Sequence, residues 1–159
     1  MNVIRHLYVS VGHNYFGHHG KPPGENPIAE VERVHCLAGR GIEGDRFLDF
    51  KPGYKGQITF FAWEEYVRLC EALSVHDKTP AALRRNVITE GLDVLSLIGC
   101  EFEVQGVRFL GHSECAPCYW MDQAFGTGAE ATLKGRGGLR AQILTDGWLA
   151  SECAESVVV

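Results

Sequence analysis

Two thiols and two guanidiniums form the part of this sequence with the clearest chemical capacity. Cys115 and Cys118 are separated by two residues in the segment CAPC, and the later segment GRGGLR (135–140) carries Arg136 and Arg140 on a glycine-rich backbone. A thiolate is a nucleophile and a soft metal ligand, whereas arginines and the backbone amides of glycine-rich loops bind anions. Together the two segments indicate a site for a metal, a sulfur species or an anionic cofactor.

The cysteine pair alone allows several interpretations. A structural zinc site needs four ligands, and the sequence has no second C-x-x-C, so zinc would require distant histidines. A thioredoxin-like site would place the motif between a strand and a helix of a βαβ unit, whereas the surrounding sequence is typical of antiparallel hairpins. A single reactive thiolate with a helper cysteine is the third interpretation, and nearby arginines would then stabilise the thiolate.

The glycine–arginine segment has two interpretations of its own. The backbone amides around Gly137 and Gly138 can surround an anion. Alternatively, the segment is a tight turn between two elements, with both arginines in solvent. Its proximity to the cysteines does not follow from the sequence.

A second polar cluster, Arg84-Arg85-Asn86, stands directly before the apolar residues Val87 and Ile88. If the cluster continues that strand, Arg84 and Asn86 share one face and Arg85 faces away. On a pocket wall, Arg84 would offer a bidentate contact to a phosphate or carboxylate, and Asn86 a second polar contact. The alternative is a solvated strand edge with surface salt bridges.

A glycine-rich stretch, AGRGIEGDRF (38–47), has the spacing of a dinucleotide-binding fingerprint. A true fingerprint opens a helix, but Pro52 and Gly53 follow almost at once, which excludes that interpretation. The stretch instead predicts a turn that directs Asp45 and Arg46 toward a site. The alternative is that both residues only tie the turn through hydrogen bonds.

Apolar periodicity predicts the elements that must position these residues. Alternation or β-branched runs favour strands over 2–11, 28–37, 57–61 and 141–144, and a hairpin over 100–104 and 107–110 with a turn at Gln105-Gly106. Residues 62–73 have the spacing of an amphipathic helix, and 92–98 that of a short turn or helix closed by Gly99. The second hairpin strand leads directly into Cys115. These patterns predict a β-rich chain, mainly β with a few α-helices.

Composition limits the class of protein. The 159 residues suit one domain over 1–159, and 45% hydrophobic residues are enough for a continuous core. A net charge of −5 argues against a nucleic-acid binder. Neither a signal peptide nor an apolar run of membrane-spanning length is expected, so we expect a cytoplasmic protein without a membrane partner.

Free thiols are expected in such a compartment. Cys36, Cys70 and Cys100 lie among apolar neighbours and are predicted to be buried, whereas Cys153 lies in a polar tail. The loop 12–27 contains histidines, and metal binding by them stays open because ligands are normally held on ordered elements. These histidines are His13, His18 and His19.

The order of these motifs resembles the MOSC family, the module at the C-terminal end of molybdenum-cofactor sulfurases. The matching segments are GIEGDR (41–46), QITF (57–60), RRNVITEGLD (84–93), LIG (97–99), CAPC (115–118) and GRGGLR (135–140). The resemblance covers most of the chain and implies a MOSC-type β-barrel with peripheral helices. It implies that Cys118 ligates molybdenum or carries a persulfide, and that Arg84 and Asn86 lie near the pterin phosphate.

The resemblance also implies which reactions and partners to expect. The sulfurases contain a pyridoxal-phosphate domain that this chain lacks, so sulfur would have to come from a separate cysteine desulfurase. A stand-alone bacterial-type member is implied, and relatives of that type include reductases of N-hydroxylated compounds, which act on a small molecule and need a redox partner.

Three hypotheses follow. The first is an oxidoreductase that binds the molybdenum cofactor (molybdopterin) through Cys118, with arginines and Asn86 neutralising its phosphate. The second is a sulfur carrier, and the third is an anion-binding module without catalysis. The phosphate-binding residues of the first hypothesis are Arg84, Asn86, Arg136 and Arg140.

Overall fold

Strands dominate the computed structural model, which describes residues 2–13 and 26–152. The strands are β1 (Val3–Val9), β2 (Ala29–Val31), β3 (Arg33–Leu37), β4 (Gly41–Ile42), β5 (Ile58–Ala62), β6 (Val87–Glu90), β7 (Glu101–Val104), β8 (Val107–Glu114), β9 (Leu139–Ile143) and β10 (Gly147–Ala150). The α-helices are α1 (Trp63–Leu73), α2 (Trp120–Ala124) and α3 (Ala129–Thr132), and 3-10 helices cover Pro80–Leu83 and Val94–Leu97. The predicted β-rich class is therefore confirmed.

The described strands lie in two sheets. The larger has seven strands in the order β2-β1-β6-β5-β9-β8-β7, and the smaller has three in the order β10-β3-β4. Neighbouring strands are antiparallel except for β5 and β6, which are parallel. The predicted hairpin is confirmed as β7–β8, and its turn has positive φ at both Gln105 (51°) and Gly106 (84°), as a type I′ turn requires.

The resemblance implied a β-rich fold built around a barrel. The described strands form that β-rich fold, and the large sheet among them is not closed into a complete barrel. Ile4 of β1 and Phe102 of β7 line a common cavity of about 200 Å³, although several strands separate β1 from β7 in the sheet order. The last described residues, 150–152, span this opening, because the Glu152 amide donates to the Ile4 carbonyl at 2.7 Å and the Gln105 side chain bonds the backbone of Ala150. The edge strands β2 and β7 thus remain unpaired with each other.

Alternation along the central strands builds an apolar core on each face of the sheet. Phe60 and Val87 are fully buried in one core, and their neighbours Phe61 and Ile88 are fully buried in the other. The predicted amphipathic helix is confirmed as α1, which packs its apolar side, including Leu69, on the second core. No helix in the described residues combines the length and the hydropathy that a membrane crossing requires.

The cluster Arg84-Arg85-Asn86 corrects one sequence-based prediction. These residues precede β6 instead of belonging to it: Arg84 caps the 3-10 helix Pro80–Leu83 with φ of 56°. All three side chains are buried, at 8%, 9% and 2% exposure. The strand alternation that placed Arg84 and Asn86 on one face and Arg85 on the other is therefore wrong.

Asn86 joins three strands through its buried amide. Its Oδ1 accepts from the backbone N–H and the hydroxyl of Thr59 on β5 at 3.0 and 3.1 Å, and its Nδ2 donates to the Tyr8 carbonyl on β1 at 3.1 Å. The Thr59 hydroxyl in turn accepts from the Asn86 amide at 3.0 Å. The side chain is thus occupied by the protein itself, and its role is to hold β1, β5 and the start of β6 in register.

Replacing Asn86 with alanine is therefore expected to reduce folding stability. The change leaves buried polar groups of Thr59 and Tyr8 without partners, which costs about 2–4 kcal/mol. Chemical denaturation measures this as a lower midpoint with an unchanged m-value. The matched control is Asn2→Ala at an exposed position, and equal stabilities of the two variants would contradict the assignment.

Candidate functional site

A cavity of about 190 Å³ brings the cysteine pair, the arginines and several aromatic rings together. Cys118 is exposed, whereas Cys115 is buried, with 8% of its surface exposed. The described residues that line it are His13, Arg46, Phe47, Tyr54, Gly56, Thr59, Ala82, Leu83, Arg84, Arg85, Cys115, Ala116, Cys118, Trp120, Met121, Ala124 and Arg140. The two cysteines and four arginines therefore share one site.

The cysteine motif lies between the end of β8 and the short helix α2. The Cys115 amide donates to the Gly138 carbonyl at 2.7 Å, and the Cys118 carbonyl accepts from the Met121 amide at 2.9 Å. The neighbours of β8 in the sheet, β7 and β9, are both antiparallel to it. A strand precedes the motif and a helix follows it, but no βαβ unit surrounds it as in a thioredoxin-like site.

The glycine–arginine segment packs directly on this motif. A Cβ on Gly137 would lie 2.2 Å from the Cys115 carbonyl oxygen and 2.8 Å from Pro117, and one on Gly138 would lie 2.5 Å from the Phe60 carbonyl oxygen. Only glycine permits this approach, since real Cβ atoms do not come so close to a carbonyl oxygen. The glycines thus shape the site by close packing, and the Gly137 amide is already bonded to the Glu114 carboxylate at 3.1 Å.

The two arginines of the segment have different surroundings. Arg140 lies on β9, is half-buried and lines the cavity. Arg136 is exposed, pairs with Glu65 of α1 at 3.1 Å and lines a different cavity. The sequence-based assignment of Arg136 to the same anion site as Arg140 is therefore wrong for this structure.

Of the two roles predicted for Asp45 and Arg46, Asp45 ties the turn and Arg46 faces the site. Asp45 is buried and accepts from the amides of Ser10 and Phe47 and from Arg46, so it ties the turn. Arg46 lines the cavity, and it donates to Asp45 at 3.2 Å and to the Arg84 carbonyl at 3.1 Å. Burial lowers the pKa of Arg46, an effect that Asp45 opposes and the charge of Arg85 reinforces.

Arg84 donates to backbone and hydroxyl oxygens. Its guanidinium bonds the Asn26 carbonyl at 3.2 Å, the Ser10 hydroxyl at 2.8 Å and the Gly12 carbonyl at 2.9 Å. These bonds fix the guanidinium in the cavity wall. Arg84 therefore contributes a positive charge that the surrounding loops hold in place.

Arg85 is the cavity residue that strand alternation had directed elsewhere. Its Nε donates to the Gly137 carbonyl at 3.0 Å, one terminal nitrogen to the Leu83 carbonyl at 2.9 Å, and the other to the Cys115 carbonyl at 3.2 Å. The doublet Arg84-Arg85 was the available signal in the sequence. It stands directly before a buried strand, and arginines buried there need polar partners, which indicates a polar site.

Aromatic rings and His13 complete the wall; pattern reasoning did not identify Phe47 and Tyr54 as site residues and raised His13 only as a possible metal ligand. Phe47 packs edge-on against His13 and stacks with Tyr54, with ring centroids 4.9 and 5.4 Å apart. Burial lowers the pKa of His13, and the charge of Arg46 lowers it further. Burial raises the pKa of Tyr54, and Arg140 opposes this shift.

The site carries an excess of positive charge. The described residues that line the cavity include four arginines and no carboxylate. Among the described residues, Arg46 pairs with Asp45, whereas no ion pair involves Arg85 or Arg140. The arrangement can bind an anion next to an accessible thiol.

Metal binding by side-chain clusters has little support in the described residues. No group of three or more His, Cys, Asp and Glu side chains there could hold a metal ion. His13 contacts aromatic rings, and His18 and His19 lie outside the described residues.

The other cysteines differ from one another in exposure. Cys36 is fully buried, as expected, and burial raises its pKa to about 12. Cys70 is half-buried, while Cys100 is exposed, so the predicted burial of Cys100 is wrong. Cys153 lies outside the described residues.

Comparisons with known proteins agree on the fold. The model of the MOSC domain matches residues 18–157. The YuaD protein of Bacillus subtilis superposes with a TM-score of 0.73 at 18% identity, covering 95% of this chain and 92% of that one. YiiM of Geobacillus stearothermophilus superposes with a TM-score of 0.64 at 15% identity, covering 94% of this chain and 71% of that one. For YiiM of Escherichia coli the TM-score is 0.61 at 17% identity, covering 92% of this chain and 65% of that one. A comparison with curated protein sequences finds no significant match.

Thiol alkylation is expected to separate the described cysteines by accessibility. In the folded protein near neutral pH, maleimide should modify Cys118 and Cys100 first, because a thiol must be accessible to react. Cys36 and Cys115 should react only after denaturation. Peptide mass spectrometry over time measures the order, and early modification of Cys115 ahead of Cys118 would contradict the asymmetry.

Proposed function

Because the chain belongs to the MOSC domain family, we propose that it binds the molybdenum cofactor, molybdopterin, in the cavity that Cys118 lines. The family is linked to binding of this cofactor and to sulfur handling. The proposal depends on one observation: an exposed thiol and four guanidiniums line the same cavity. The experiment that tests it is metal and pterin analysis of the purified protein.

The donors in the cavity fit the chemistry of this cofactor. A thiolate is a soft ligand suited to a redox metal, so Cys118 would ligate molybdenum. Arg46, Arg84 and Arg140 would bind the phosphate, because guanidiniums form strong charge-assisted bonds with phosphate oxygens. An anion would also offset the positive charge that these side chains place in a partly buried site.

The residues that would contact the cofactor differ from those that the sequence suggested. Asn86 bonds Thr59 and Tyr8 and is not among the described residues that line the cavity, and Arg136 pairs with Glu65 outside it. Gly137 packs closely against the cysteine motif, and the Gly138 carbonyl accepts from the Cys115 amide. Arg46 joins Arg84 and Arg140 as a phosphate contact.

When bound, the cofactor would supply a redox-active metal, and the chain would then serve as an oxidoreductase of a small molecule. The rings of Phe47, Tyr54 and His13 line the same cavity. They would pack against an apolar or planar part of the substrate and exclude water around it. The N-hydroxylated compounds reduced by stand-alone relatives are the substrate class we propose, with a separate redox partner as electron donor.

Protein purified from a cofactor-competent host is expected to contain molybdenum and pterin near one equivalent each. Cys118→Ala should lose most of the metal, since alanine offers no ligand atom. Metal analysis and the fluorescence of the oxidised pterin give the two contents. The matched control is Cys100→Ala, which removes an exposed thiol distant in sequence from the motif and should retain both.

A wild-type protein that lacks both metal and pterin, with Cys118 unmodified, would overturn the cofactor proposal. If such protein still binds inorganic phosphate in the cavity, an anion-binding module without catalysis is the function that remains.

A second candidate function, sulfur carriage, is favoured by the exposure of Cys118 beside a buried Cys115. A partner's persulfide could reach Cys118: the Cys118 thiolate would attack the outer sulfur, a new S–S bond would form, and the partner's thiolate would leave. The sulfur would then be transferred from Cys118 to an acceptor.

Incubation with a cysteine desulfurase and free cysteine is expected to load the carrier. The Cys118 peptide should then gain the mass of one sulfur atom, and the gain should disappear on reduction. The Cys100 peptide of the same molecule is the internal control. A Cys118 peptide that stays unmodified, under conditions that load an established carrier, would exclude this function.

A further inference from the structure

One buried guanidinium connects three segments of the site. Arg85 donates to the carbonyl oxygens of Leu83, Cys115 and Gly137, at 2.9, 3.2 and 3.0 Å. Leu83 ends the 3-10 helix before it, Cys115 begins the thiol motif, and Gly137 lies in the glycine-rich segment. The side chain is 9% exposed, so these bonds form largely away from water.

Its hydrogen-bonding capacity is not used up by these contacts. A guanidinium carries five N–H groups, and three of them account for the three carbonyls. The side chain lines the cavity, and in the described part of the chain it forms no ion pair with a carboxylate. Two N–H groups and the positive charge are therefore left for a ligand.

We propose that Arg85 is both a ligand-binding and a positioning residue, which holds the Cys115–Cys118 segment against the oxyanion that the cavity binds. The anion contacts the outward N–H groups of Arg85, and the remaining N–H groups hold the backbone at Cys115 and Gly137. Anion binding and the position of the Cys118 thiol are thereby coupled through one planar group. The inference rests on the proposed function only in requiring that the cavity binds an oxyanion.

The proposal requires guanidinium geometry as well as charge. A planar fork can reach three carbonyls and an anion at once, whereas a lysine ammonium on a flexible stem has three donors and no fixed plane. Lysine at this position keeps the positive charge and loses contacts to the thiol segment. Charge and positioning can therefore be separated by a single substitution.

The experiment compares Arg85→Lys with Arg136→Lys in protein free of cofactor, with inorganic phosphate as the probe. Arg136 offers a matched control, because it lies in the adjoining segment, outside the cavity and paired with Glu65. The readout is the maleimide alkylation rate of Cys118 divided by that of Cys100 in the same molecule. A general loss of stability would change both rates, so the ratio isolates the site.

In the wild type, phosphate is expected to slow alkylation of Cys118 and leave Cys100 unaffected. Arg136→Lys should behave as the wild type does. Arg85→Lys should need about tenfold more phosphate for equal protection, the size of one charge-assisted bond. Its ratio of rates without phosphate should also change by about threefold or more, because the thiol segment has lost an anchor.

The proposal would be overturned if phosphate protected Cys118 in Arg85→Lys as well as in the wild type and the ratio of the Cys118 and Cys100 alkylation rates were also unchanged. If Arg85→Lys does not fold, the side-chain nitrogen NMR signals of Arg85 in the wild type give the answer. Phosphate should shift them at the concentration that protects Cys118, and unshifted signals would overturn the proposal. If the purified protein lacks molybdenum but phosphate protects Cys118 as expected in the wild type and less well in Arg85→Lys, the cofactor proposal is refuted and the Arg85 inference stands.

Discussion

The hydrogen bonds from Arg85 to three carbonyl oxygens are the interaction on which the site depends. A buried cation without a carboxylate partner is expensive unless dipoles solvate it, and the carbonyls of Leu83, Cys115 and Gly137 supply those dipoles. The requirement acts in both directions. The guanidinium needs the two loops close by, and the loops need the guanidinium to fix their carbonyls, so the thiol motif and the glycine-rich segment are held as one unit.

The close approach of these two segments also requires a glycine at position 137. A side chain on Gly137 would overlap the Cys115 carbonyl, so glycine there permits the contact that Arg85 then secures. The same contact explains the asymmetry of the cysteines. Cys115 is buried and is fixed by the hydrogen bond that its backbone N–H donates to the Gly138 carbonyl, whereas Cys118, three residues later, lies just before α2 and is exposed.

Local patterns predicted the elements well and the loop residues poorly, for a physical reason. Alternation in β5, the hairpin β7–β8 and the amphipathic spacing of α1 each reflect burial of a continuous face, which is visible in sequence. The cluster 84–86 was mispredicted because its three side chains are buried by tertiary contacts around a cap with positive φ, which no periodicity reports. The exposure of Cys100 was likewise missed, since apolar neighbours in sequence do not decide which side of a turn faces the core. Arg136 and Arg140 line different cavities because β9 begins between them, so only Arg140 lies on the strand.

Charge distribution distinguishes the cavity from the chain as a whole. The chain as a whole carries −5, while the cavity holds four arginines and no lining carboxylate among the described residues. At about 0.15 M salt, charges farther apart than roughly 8 Å are largely screened, so only the local field acts on a ligand that has reached the cavity mouth. The fold alone, shared with proteins at 15–18% identity, does not determine this local field, because the field comes from the particular arginines that line the cavity.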